Sequence, residues 1–72
     1  MSSKEVNMVG FKLKEARFQA QMTQDELAKK SGVSRMTIVN IEAGKYENVK
    51  IGTLKKLANA LGKRVTEIFF DE

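Results

Sequence analysis

The stretch from Thr23 to Lys45, TQDELAKKSGVSRMTIVNIEAGK, constrains the fold more than any other part of the chain, because its punctuation fits two short helices joined by a tight turn. Thr23 is a good N-cap, and Glu26 three residues later completes a capping box, in which hydroxyl and carboxylate each satisfy an orphan backbone N–H. A helix is therefore expected to start at Gln24, with Leu27 and Ala28 facing inward and Lys29 and Lys30 in water. Gly32 stops it by entering the left-handed conformation, which a Cβ makes costly. Ser34 caps a second helix, expected from Arg35 to about Ala43 and ended by Gly44. Two helices linked in this way form a helix-turn-helix.

At about 100° of rotation per residue, Thr37, Ile38, Ile41 and Glu42 fall on one side of the second helix. Arg35, Met36, Val39, Asn40 and Ala43 fall on the other, which mixes a guanidinium, an amide and apolar groups without the dense charge of an ordinary solvated face. These are base-reading chemistries. Arginine can bond guanine O6 and N7 as a fork, asparagine can bond adenine N6 and N7, and Met36 or Val39 can lie against a thymine methyl. The plain alternative is a helix face that only covers and solubilises the domain.

The sequence MTQDELAKKSGVSRMTIVNIEAGK, with TLKKLANALG and the closing VTEIF, resembles the lambda-repressor-like, Cro-type helix-turn-helix family, also called XRE-type. The likeness covers roughly residues 9 to 69. It implies base contacts from Arg35, Met36 and Asn40 with Val39 beside them, and phosphate contacts from Gln24 and Lys45; Thr37, at the edge of the buried side, is expected to reach a phosphate by its position. Glu42, a carboxylate on the inward side, needs a partner, because an unpaired buried charge is costly. Arg17 lies beside the core stripe of the first helix, and the resemblance implies that it forms a partly buried structural ion pair with Glu42.

Seventy-two residues are expected to form a single small domain over 8–70, preceded by a polar, disordered tail at 1–7. Such a chain buries only about 60% of its unfolded surface, so its stability is modest and dimerisation would help it. The absence of Cys and His excludes disulfide staples, ordinary zinc fingers and imidazole catalysis, so no metal, no cofactor and no enzymatic activity are expected. Thirteen Lys and Arg against nine Asp and Glu give a net charge of +4. Three of the acids, Glu67, Asp71 and Glu72, cluster at the C-terminus and leave the middle of the chain more basic. That charge suits a polyanion only in combination with the motif. No apolar run approaches a membrane span and the tail MSSKEVN has no hydrophobic core for export, so the expectation is a cytoplasmic protein without membrane contact.

The architecture expected is all-α, a compact five-helix lambda-repressor-like domain. Its first helix spans about Val9 to Gln21, with Val9, Leu13, Ala16 and Ala20 as core stripe. A fourth helix buries Ile51, Leu54, Leu57, Ala58 and Leu61 and ends at Gly62, and a short last helix holds Val65, Ile68 and Phe69. Relatives often carry Pro-Ser before the fourth helix. Here Val49-Lys50 stands instead, which leaves Asn48 as substitute cap, and Lys63-Arg64 replaces the small polar cap before the last helix. Gly52 weakens the first turn of the fourth helix. Phe11 and Phe18 share a face roughly opposite the Leu13 stripe. Either the segment carrying Phe69 and Phe70 covers them, or they form a contact surface separate from the DNA face.

The reading that results is a sequence-specific regulator of transcription on double-stranded DNA, a repressor or controller acting as a homodimer on a palindromic operator. The alternative keeps the fold but uses its surface for a protein partner, as an antitoxin or anti-regulator does.

Overall fold

The computed structural model describes residues 8–45 and 49–69, with side chains from Lys12 onward. Five helices run through them: α1 (Met8–Gln19), α2 (Gln24–Ser31), α3 (Arg35–Glu42), α4 (Ile51–Ala60) and α5 (Val65–Ile68). None is long enough to be stable alone in water, so their stability comes from burying apolar faces against one another. α3 packs on α1 and α2, α4 packs on α2, and α5 joins α4 to α1, which closes the arrangement into a ring around one core. Every helix contributes to the fully buried set: Leu13 from α1, Leu27 from α2, Ile38 and Ile41 from α3, Leu57 from α4 and Ile68 from α5.

The helix ends correct several expectations. α1 stops at Gln19, two residues before Gln21, because the backbone turns back in a Schellman motif. The Met22 N–H donates to the Arg17 carbonyl at 3.1 Å and the Gln21 N–H to the Phe18 carbonyl at 2.9 Å, with Gln21 at φ 57°. This reversal leaves Ala20 exposed and outside the core stripe, while Met22 packs against the core immediately before Thr23. Val9 and the proposed tail at 1–7 lie outside the described side chains.

Lys50, not Asn48, is the N-cap of α4, and it makes no side-chain capping bond; Asn48 lies outside the described residues. Ile51 is 51% exposed instead of buried. It shares the angular position of Ala58 but is the first residue of the helix, with no preceding turn to shelter it. Leu57 and Ala58 are buried, Leu54 and Leu61 pack partly against the core, and Ala60, absent from the expected stripe, is buried as well. The basic pair Lys63-Arg64 does not prevent the last helix. The Arg64 N–H donates to the Glu67 carboxylate at 2.7 Å, and Ile68 and Phe69 are buried behind it.

Phe69 therefore belongs to the core and does not cover Phe18, which is 60% exposed. Phe11 and Phe70 lie outside the described side chains.

Candidate nucleic-acid interface

The α2–turn–α3 unit is fixed first by local bonds. The Glu26 N–H donates to Thr23 Oγ1 at 3.0 Å and the Thr23 N–H donates to Glu26 Oε1 at 2.8 Å, a complete capping box. Gly32, at φ 80°, ends α2 with a bond from its N–H to the Ala28 carbonyl at 2.9 Å. The Val33 N–H returns to Ser31 Oγ at 3.1 Å, and Ser34 Oγ accepts the Thr37 N–H at 3.1 Å to start α3. Met22 and Leu27, and Val33 and Ile38, occupy the staple positions around the two N-caps, and all four belong to the same core or pack against it. The angle of entry into each helix is thereby set by burial as well as by the caps.

A buried polar network then ties α3 to the rest of the domain. Arg17 Nε donates to Glu42 Oε2 at 2.8 Å and Nη2 to Oε1 at 3.0 Å, a bidentate pair whose side chains are 8% and 3% exposed. The remaining nitrogen Nη1 donates to the Met22 carbonyl at 2.9 Å. The Gln24 amide donates through Nε2 to Glu42 Oε1 at 3.1 Å, the only orientation in which its polar end does not repel the carboxylate. One carboxylate thus gathers donors from α1 and from the first residue of α2. No buried side-chain nitrogen or oxygen among the described residues lacks a partner. The Phe18 ring lies under the same guanidinium, 4.7 Å from centroid to carbon.

With Ile38 and Ile41 fully buried and Glu42 held, the opposite side of α3 faces outward. Met36 is 63% exposed, Arg35, Asn40 and Ala43 are exposed, and Val39 is half-buried. These side chains thus share one outward face. Thr37 sits at its edge, where its Oγ1 accepts the Ser34 hydroxyl at 2.9 Å. α3 closes with a second Schellman motif: the Gly44 N–H bonds the Ile41 carbonyl at 3.0 Å and the Lys45 N–H bonds the Asn40 carbonyl at 2.7 Å, with Gly44 at φ 88°. Lys45 emerges from that turn exposed.

Two features of this surface were absent from the sequence reading. Arg35 Nε lies 3.4 Å from Asp25 Oδ1, a pair that is 58% and 71% exposed and joins the first turns of α2 and α3. Such exposed pairs contribute little to stability, but this one brings an acid next to the outward face. The second feature is an open hollow of about 550 Å³ lined by Lys14, Arg17, Phe18, Thr23, Gln24, Asp25 and Arg35. Phe18 therefore borders the same region as Arg35 and Gln24 instead of a separate face. Neither is marked by a local sequence signal: Asp25 stands at the start of α2, ten residues before Arg35, and the hollow also takes Lys14, Arg17 and Phe18 from α1.

Among the described residues there is no cluster of metal-ligating side chains, and no helix is long and apolar enough to cross a membrane. A family model described as helix-turn-helix matches residues 13–68. A protein of Archaeoglobus fulgidus named as an uncharacterized HTH-type transcriptional regulator is 45% identical over 62 residues, covering 85% of this chain and 86% of that protein. A similarly named protein of Methanocaldococcus jannaschii is also 45% identical, over 85% of this chain and 91% of its own length. The immunity repressor protein of Bacillus phage phi105 is 38% identical over 89% of this chain, which corresponds to 44% of the phage protein. No solved structure matches significantly. From its capped helix pair, its packing and this span of similarity, the chain belongs to the XRE-type, lambda-repressor-like helix-turn-helix family.

Proposed function

We propose that the protein regulates transcription by binding double-stranded DNA in a sequence-specific manner, with α3 in the major groove. The observation that carries this reading is the outward face of α3, where Arg35, Met36, Val39 and Asn40 stand on a helix whose other side is locked by Ile38, Ile41 and the Arg17–Glu42 pair. A reader of bases needs that rigidity, because a fork of two hydrogen bonds tolerates little rotation of the helix. Arg35 and Asn40 supply the hydrogen-bonding groups, and Met36 and Val39 the apolar contacts. The names of the relatives, HTH-type transcriptional regulators and a phage immunity repressor, support regulation and favour repression.

Phosphate contacts would set the register. Gln24 Nε2 carries two hydrogens, of which Glu42 takes one, so the other is free for a phosphate oxygen. Lys45 and the Thr37 hydroxyl flank the face on its edges. One helix reads too few base pairs for an operator, so a homodimer is part of the proposal, with recognition helices about 34–36 Å apart on a palindromic site.

Selection from a random double-stranded DNA pool at near-physiological salt tests this directly, with an Arg35→Ala, Asn40→Ala double variant in parallel. Enrichment of an inverted repeat by the wild type and not by the variant is the expected result. Salt-sensitive background binding without enrichment in both would sink the reading.

A further inference from the structure

The hollow beside Arg35 gives α1 a part in binding. Lys14, Arg17 and Phe18 stand at i, i+3 and i+4 on one edge of α1 and line this hollow together with Thr23, Gln24, Asp25 and Arg35. The charges within it pair off unevenly. Arg17 is neutralised by Glu42 and Arg35 by Asp25, whereas Lys14 is exposed and makes no hydrogen bond or ion pair among the described residues. The α1 carboxylate Glu15 is turned away, into a different hollow between α1 and α5. What remains is one free cation, one aromatic ring 60% exposed, and a concave floor continuous with Gln24 and Arg35.

We propose that Lys14 and Phe18 form a backbone-docking edge for the same DNA duplex, with the Lys14 ammonium on a phosphate and the Phe18 ring against the adjoining deoxyribose. The proposal rests on the DNA-binding reading above. It explains why a large apolar ring is left in water beside a lone ammonium: a sugar–phosphate strand offers an apolar C–H surface and an anion in alternation, and this edge offers the complementary pair. The ring is also held in place, since the Arg17 guanidinium 4.7 Å from its centroid is itself fixed by Glu42 and the Met22 carbonyl. Contacts of this kind position the protein on the duplex without reading sequence, so their loss weakens binding to every sequence alike.

The test uses the full chain and compares wild type, Lys14→Gln and Phe18→Ala on the selected operator and on random duplex across a salt series. Melting curves and sedimentation are recorded for each protein. Lys14→Gln is expected to reduce the slope of log affinity against log salt by about one. Its deficit relative to wild type should accordingly shrink by roughly 3.5-fold between about 50 and about 200 mM salt. Phe18→Ala is expected to weaken operator and random duplex by the same factor, with the wild-type slope and an unchanged selected sequence. Wild-type binding with an unaltered slope in Lys14→Gln, or with wild-type affinity in Phe18→Ala, would overturn this edge and leave the DNA reading standing. Loss of self-association in Phe18→Ala, with DNA affinity per dimer retained, would also overturn it and assign the ring to a protein contact. Failure of the wild type itself to bind DNA would remove both readings together.

Discussion

The α2–turn–α3 unit and the α4–α5 half are each built from two consecutive helices, yet they hold their ends in different ways. Thr23 and Ser34 cap α2 and α3 with side-chain hydrogen bonds, and Glu26 completes a box. Lys50 caps α4 with no side-chain bond at all, and at α5 only the Glu67 half of a box is made, because an arginine side chain has no acceptor to return. The first unit is specified locally and then pinned by a buried ion pair, whereas the second depends on Leu57, Ala58, Ile68 and Phe69 being buried. The surface that must keep a fixed geometry therefore lies on the part of the molecule that is determined twice.

If that contrast is right, the largest effect comes from the pin. Glu42→Ala leaves the Arg17 guanidinium buried without its carboxylate and strands the Gln24 amide, and it is expected to cost about 3–5 kcal/mol. A domain of this size has roughly 4–11 kcal/mol in total, so thermal melting should show a much-reduced or absent transition at 37 °C. Arg17→Met with Glu42→Leu, which removes both charges together, should recover a large part of the loss. A Glu42→Ala protein that melts like wild type would show that the pair does not hold α3.

Leu57→Ala comes next, at about 2–5 kcal/mol, because it opens a cavity in the half that has only burial to rely on. Ile51→Ala on the same helix should cost less than about 1 kcal/mol, since half of that side chain is already in water. Equal losses in urea denaturation at the two positions would contradict the placement of Ile51 outside the core.

The two halves also differed in how far the sequence disclosed them, and for the same reason. The capped unit was legible residue by residue, because capping boxes, glycine stops and a carboxylate on an apolar face are signals contained within a few positions. α4 was legible only as a stripe. Its periodicity places Ile51 in line with Ala58, but the stripe does not register that Ile51 is the first residue of the helix and stands clear of the core, or that Ala60 enters it. The interface divided along the same line. The face of α3 could be read from helical rotation, whereas the Asp25–Arg35 approach and the hollow shared by Lys14, Phe18 and Gln24 arise from two or three helices meeting, which no spacing encodes.

Capping offers a finer test of the contrast. Thr23→Ala and Ser34→Ala should each cost about 1 kcal/mol. Lys50→Asp should instead stabilise by up to about 1 kcal/mol, by supplying the acceptor that α4 lacks and an anion at its positive end. Chemical denaturation with an unchanged m-value would read all three. If Lys50→Asp has no effect, the first turn of α4 already finds its acceptors elsewhere.

The smallest effect separates turns that make the same bonds. At the ends of α1, α3 and α4 the chain reverses through paired backbone hydrogen bonds, and the left-handed residue is Gln21 in the first case but Gly44 and Gly62 in the others. A residue with a Cβ enters that conformation at a cost of about 1 kcal/mol or slightly more, while glycine gives back some of the advantage through the greater freedom of its unfolded chain. Gln21→Gly should therefore raise stability by up to roughly 0.5 kcal/mol, equivalent to about 2–4 °C in Tm for a domain of this length. Because Gln21 is exposed and outside the proposed DNA face, operator affinity should stay at the wild-type level. A lower Tm would mean that the Gln21 side chain contributes contacts that outweigh its backbone strain, and that the link from α1 into the capped unit is held by more than the two bonds closing the turn.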